Sequence, residues 1–146
     1  MTQSTILKGA LASGIINAII NGIINWFQLG NTKTIKLTTD SISSQEHTVF
    51  GGAVILGTSL AFILTSIAYL TLKIKNKPKY FPKVFFLALK QSIFVFGVII
   101  IFALLFQKVF GSIEVSNVYA AIITGIIAGI AAGSIEYSTK KRLLNY

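Results

Sequence analysis

The chain has 146 residues, 53% of them hydrophobic and 12% charged, with a mean hydropathy of +0.76. A soluble domain is about a quarter charged, so this composition excludes an ordinary water-soluble globule, and the length excludes a multi-domain enzyme. The absence of cysteine excludes disulfides, thiolate metal sites and a cysteine nucleophile. Thirteen basic residues against four acidic ones give +9, a sign that fits nucleic acid or membrane until the charges are placed.

Long charge-poor runs organise the chain. The first, Gly9 to Thr32, has no charge at all. A helix rises about 1.5 Å per residue, so about 20 residues cross a ~30 Å hydrocarbon layer, and the run predicts a spanning helix over about 9–29. Asn17, Asn21 and Asn25 interrupt its apolar stretch, and no small-x-small pattern follows Trp26 and Phe27, which argues against a cleaved signal peptide. Gly9, Ser13, Asn17, Asn21 and Asn25 recur every fourth residue and form one polar stripe. A row of small residues, Ala10, Gly14, Ala18 and Gly22, runs beside it. Carboxamides need partners that lipid does not supply. Two readings fit. The amides glue helices together, or they form a ladder along a water-filled path or polar ligand site.

The loop 30–47 is the long one. Its Thr34-Ile35-Lys36-Leu37-Thr38 segment alternates like a short strand or hairpin, and Ser43 with Glu46 has the spacing of a capping box for the next helix. His47, beside Glu46, reads as a solvated loop residue, because one histidine and one carboxylate make neither a zinc site nor a catalytic triad. The second span, about 48–72, has Gly51 and Gly52 near its start, a pair that predicts a bend or frayed turn. It also carries a small-residue row of Ala53, Gly57, Ala61 and Thr65. The basic loop 73–83 holds Pro78 and Pro82, which favour extended chain and a helix start near Pro82 or Val84.

The third span, about 84–110, contains Lys90, a charge well inside the run, with Gln91 and Ser92 next to it. Lys90 either snorkels to the interface or pairs with Glu136, which lies at nearly the same depth in the fourth span. Such a pair would suit a structural tie, a gate or a proton-coupling site. If Glu136 faces the headgroups among Lys140, Lys141 and Arg142 instead, it forms a surface pair of little weight. A tight turn is expected at 111–116. The fourth span, about 116–138, shows a ridge of Ala121, Gly125, Gly129 and Gly133, the pattern of close helix–helix contact, with ridge to spare for self-association.

Lys and Arg in short loops orient the spans. Lys8, Lys73, Lys75, Lys77, Lys79, Lys83, Lys140, Lys141 and Arg142 fall on one side; Lys33, Lys36 and Lys108 fall on the other, offset by Asp40, Glu46 and Glu114. Both termini are therefore expected in the cytoplasm, with the basic face against anionic lipid headgroups. Aromatic belts agree: Trp26, Phe27, Phe110 and Tyr119 at the outer interface, Tyr69, Tyr80, Phe81 and Tyr137 at the inner one. No base-reading motif accompanies the basic residues, so nucleic acid is not the expected partner. The sequence has no phosphate loop, metal-ligand cluster or paired intramembrane carboxylates. The expectation is a non-enzyme without metal or cofactor.

The segments ILKGALASGIINAIINGIINWF and TVFGGAVILGTSLAFILTSIAYLTLK, separated by a polar loop, resemble small bacterial four-span inner-membrane proteins loosely labelled permeases. That resemblance implies a bacterial inner-membrane location and no particular functional residue. Small multidrug exporters differ, since they depend on a Glu in the first helix where this chain has Asn; the polar motifs of fluoride channels are also missing. The fold expected is an all-α bundle of four transmembrane helices in a single domain, 1–146. The function expected is a homo-oligomeric transporter or channel for a small polar solute or ion. Its path candidates are Ser13, Asn17, Asn21, Asn25, Lys90, Gln91 and Glu136, and its packing residues are Gly14, Gly22, Gly57, Gly125, Gly129 and Gly133. The alternative is a non-transporting assembly or signalling module that uses its small-residue and Asn faces to bind partner helices.

Overall fold

The computed structural model describes residues 3–30, 32–38, 47–74 and 77–144. Of these, 83% are helical, and four helices are long and apolar enough to cross a membrane. In chain order the elements are α1 (Gln3–Leu29), β1 (Thr34–Leu37), α2 (Val49–Thr71), α3 (Phe85–Phe110), β2 (Ile113–Ser116) and α4 (Asn117–Leu144). Both outer members are longer than the charge-free runs predict. α1 begins before Lys8, and α4 continues past Lys140, Lys141 and Arg142, so the basic residues ride on helix rather than on loop.

Local chemistry sets the ends. Gly30 and Gly111 have positive φ, +50° and +72°, which only glycine adopts without strain. There they turn the chain out of α1 and α3 while their N–H groups bond back to Trp26 and Phe27, and to Gln107. Thr48 caps α2, its hydroxyl accepting from Gly51 N at 3.2 Å. Ser43 and Glu46, expected as a capping box, lie outside the described residues, and Thr48 holds the capping position. Gly51 and Gly52 do not break the helix, because these cap bonds, with Gly52 N to Thr48 O at 3.0 Å, fix its first turn. Residues 80–84 form a separate turn, with Phe81 extended and a cis bond to Pro82, before α3 begins.

The tight turn expected at 111–116 is instead a strand. β1 and β2 pair antiparallel, with Thr34 opposite Ser116, Ile35 opposite Val115, Lys36 opposite Glu114 and Leu37 opposite Ile113. The pairing ties the α1–α2 and α3–α4 connections together at one end of the bundle. Ile35 and Leu37 point inward onto Val49, Phe50, Ala103 and Ala120, which is why the segment alternates.

The helices lie in the order α1–α4–α2–α3, and α3 meets α4 only slightly. Small residues make the close contacts. A methyl group built on Gly125 would stand 2.7 Å from the Ala18 carbonyl oxygen, and one on Gly14 2.9 Å from that of Gly129. Gly22 and Gly133 approach Ala121 and Ala10 in the same way. The ridges of α1 and α4 are thus spent on each other within one chain. Gly57 serves a different joint, receiving the side chain of Ile99 from α3. Large apolar side chains cover the outside, among them Ile16, Ile20, Phe94 and Ile130.

Candidate functional site

The covered face of α1 has two halves. Ala18 and Gly22 border a shallow apolar groove against α4, with Ile122 and Gly125 on its far wall. Asn25, on the other flank, lines a pocket shared with the first turn of α2. The Asn row therefore lies on the α2 side of the α1–α4 contact. Asn21 is buried at 7% exposure, while Asn17 and Asn25 are half-buried.

Hydrogen bonding fixes how these amides are turned. Asn17 Nδ2 donates to Ser13 O and Asn21 Nδ2 donates to Asn17 O, each at 2.9 Å. A backbone carbonyl only accepts, so the atom facing it must be the amide nitrogen. Each nitrogen uses one of its two N–H groups inside the helix, so every amide keeps a donor as well as its Oδ1 acceptor for other partners. Asn25 Oδ1 is buried with no hydrogen-bond partner, and so is Thr124 Oγ1 on α4.

The pocket above Asn25 has a volume of about 740 Å³ and opens at the β1–β2 end. Gln28, Thr34, Lys36, His47 and Glu114 give it a polar wall. Glu114 accepts from the Thr34 hydroxyl at 3.0 Å and stands opposite Lys36 across the strand pair, so the mouth is charge-balanced. On α1 the pocket reaches no deeper than Asn25.

At the basic end the stripe meets an ion pair. Lys140 Nζ bonds Glu136 Oε1 one turn away along α4. A methyl group on Gly9 would lie 3.7 Å from that ammonium and 3.8 Å from the carboxylate, so the bare Gly9 surface seats the pair against α1. The pairing of Glu136 with Lys90 does not form: Glu136 takes Lys140, and Lys90 is exposed on α3. Nor is Glu136 an open surface group, since both side chains of the pair are nearly covered, at 12% and 11% exposure.

Gln91 belongs to a separate cluster. It is buried between α2, α3 and α4, its amide within 2.6 Å of Thr65 Oγ1, 3.1 Å of Thr139 Oγ1 and 2.9 Å of Ser138 Oγ. Thr65 also lies 2.7 Å from Ala61 O and has one proton. Turning the amide by 180° lets Nε2 donate to both threonines and frees Thr65 to donate to Ala61 O. This cluster is a structural tie for α3, which otherwise barely touches α4.

The path residues expected from sequence thus divide. Ser13, Asn17, Asn21, Asn25 and Glu136 lie along one line with the pocket at one end. Lys90 and Gln91 lie elsewhere. Sequence reading missed the pocket wall, because Lys36 and Glu114 are far apart in the chain and only the strand pairing joins them. It offered Lys140 to Glu136 only as one of three basic neighbours in an open surface pair, whereas the two form a nearly covered pair at the favoured helical spacing of Glu followed four residues later by Lys. Among the described residues no group of His, Asp and Glu is arranged to hold a metal ion. No family model, curated protein or solved structure matches this chain.

Proposed function

We propose that the chain is a multi-pass inner-membrane transport protein, acting as a homo-oligomer, with both termini cytoplasmic and the β1–β2 end outside. The solute enters the outer pocket and passes along the Asn row of α1. The observation that carries this reading is Asn25, which lines the polar outer pocket, holds a buried and unpartnered Oδ1, and continues the row of Asn17 and Asn21. Burial without a partner costs a polar group about 1–3 kcal/mol, a cost relieved when the Asn25 side chain turns its amide into the pocket.

The arrangement corresponds to an outward-open, inward-closed state. Asn21 is covered beyond the pocket, and the Glu136–Lys140 pair packs against Gly9 at the basic end. Because α1 rests mainly on α4, the uncovered edge of the Asn row is available to a second copy. The basic end, with eight Lys and Arg among the described residues, sits against anionic headgroups at about 1 kcal/mol per residue near the surface. The assembly-module reading is weaker, since the small ridges it needs for partner helices are engaged within the chain.

The chain has no cysteine of its own, so Asn25→Cys, Asn21→Cys and Asn17→Cys can be tested singly with a membrane-impermeant thiol reagent. Labelling at all three is expected. Labelling confined to Asn25→Cys removes the path and leaves only a surface pocket.

A further inference from the structure

We infer that the groove between α3 and α4 binds one anionic phospholipid, with an acyl chain in the groove and the phosphate between Lys90 and Lys141. The inference requires the helices to span a membrane but not to carry a solute. Gln91 lies 2.9 Å from Ser138 Oγ, and from that contact toward the strand end α3 and α4 part, leaving a groove of about 420 Å³. Val95, Ile99 and Ala131 form its floor, with the apolar core shared with α2 behind them. Phe94, Phe102 and Ile130 stand along its open sides, each more than half exposed. From Phe94 to Phe102 on α3, and from Ile123 to Ser134 on α4, the groove runs about 12–16 Å at 1.5 Å per residue. That is the depth of one leaflet of a ~30 Å hydrocarbon layer.

Charge enters where the groove meets the basic end. Lys90 stands one turn from Phe94 along α3, and Lys141 two turns from Ser134 on the same face of α4. Both lysines are exposed. Lys141 lies back along its helix, with Nζ 5.7 Å from the centre of the Tyr137 ring. The Gln91–Ser138 contact fixes the relative depth of the two helices, so Lys90 and Lys141 come within about one turn of each other along the bundle axis. Among the described residues the one carboxylate at this end, Glu136, is bonded to Lys140, so the counter-ion of the two lysines comes from outside the chain. A lysine that snorkels from the end of an apolar groove places its charge at headgroup depth, where a lipid phosphate meets it. A helix of a second copy fits less well. Helix contacts in lipid depend on small residues, whereas Phe and Ile wall this groove and the glycines of α4 are spent on α1.

The test is the lipid retained by the full chain, read by native mass spectrometry after extraction from vesicles of equimolar phosphatidylglycerol and phosphatidylcholine. One phospholipid per chain is expected, with phosphatidylglycerol retained over phosphatidylcholine by about tenfold or more. Lys90→Gln with Lys141→Gln should abolish that preference. Lys73→Gln with Lys79→Gln, at the same end but on the α2–α3 connection, should keep it. Ile130→Trp, which fills the groove, should lower retention of both lipids. Should the Lys90→Gln, Lys141→Gln pair fail to fold, Lys141→Gln alone carries the comparison, since its side chain is exposed. Equal retention of the two lipids, no retention, or a preference that survives Lys90→Gln with Lys141→Gln overturns the inference. So does a preference lost to the same extent with Lys73→Gln and Lys79→Gln, which marks diffuse attraction to the basic end. A lipid-free dimer that Ile130→Trp dissociates also overturns it and gives the groove to a second copy.

Discussion

Gly125 illustrates how narrowly single residues set this structure. Its Cα side faces the Ala18 carbonyl and the Gly22 backbone, neither of which is the movable end of a side chain. Gly125→Val must therefore push α1 off α4, and overpacking of this kind costs on the order of 2 kcal/mol. Gly52 has nothing within 4 Å of a built methyl group, so Gly52→Ala should leave stability unchanged or slightly raised. Denaturation in mixed micelles distinguishes the two. Spacing in the sequence reveals the small rows but not their partner: the same ridge suits a neighbour in the chain or in another copy. Likewise Glu136 had two candidate surroundings on sequence alone, Lys90 or the basic cluster of Lys140, Lys141 and Arg142. The fold chose Lys140 because a salt bridge within one helix needs no tertiary alignment, whereas Lys90 lies on α3, a helix that scarcely touches α4.

At the scale of elements, α3 is held to α4 by chemistry more than by area. Interhelical hydrogen bonds in membranes contribute about 0.6–2 kcal/mol each, and Gln91 contacts three hydroxyls. Gln91→Leu should lower unfolding stability by about 1–3 kcal/mol, because it strands Thr139 and Ser138 and leaves Thr65 only its bond to Ala61 O. Adding Thr139→Val should then cost less than it does alone, which a double-mutant cycle in the same micelles reads directly. The strand pair is equally specific. Lys36→Cys with Glu114→Cys should form a disulfide under mild oxidant, whereas Lys36→Cys with Lys108→Cys should not. Helix existence was legible from the charge-free runs, since lipid forces length and composition. The strand pairing was half legible: alternation at 34–38 marked β1, while four residues at 113–116 are too short to signal a strand without their partner.

For the whole molecule, orientation and passage are the claims that matter. Eight basic residues at one end among the described residues, and a strand pair at the other, give the ends different characters. In intact cells an impermeant thiol reagent should label Lys33→Cys and spare Lys73→Cys; the reverse would invert the topology. The Asn row was visible in the sequence by its period of four. Its meaning was not, because donor use inside the helix and the pocket beyond Asn25 depend on rotamers and on contacts distant in the chain. The most direct test compares labelling rates at Asn25→Cys, Asn21→Cys and Asn17→Cys with the exposed apolar positions Ile16→Cys and Ile20→Cys in reconstituted vesicles. A path along the row predicts fast reaction at Asn25→Cys, slower but finite reaction at Asn21→Cys and Asn17→Cys, and none at the two isoleucine positions. Reaction at Asn17→Cys and Asn21→Cys no faster than at Ile16→Cys and Ile20→Cys would contradict it.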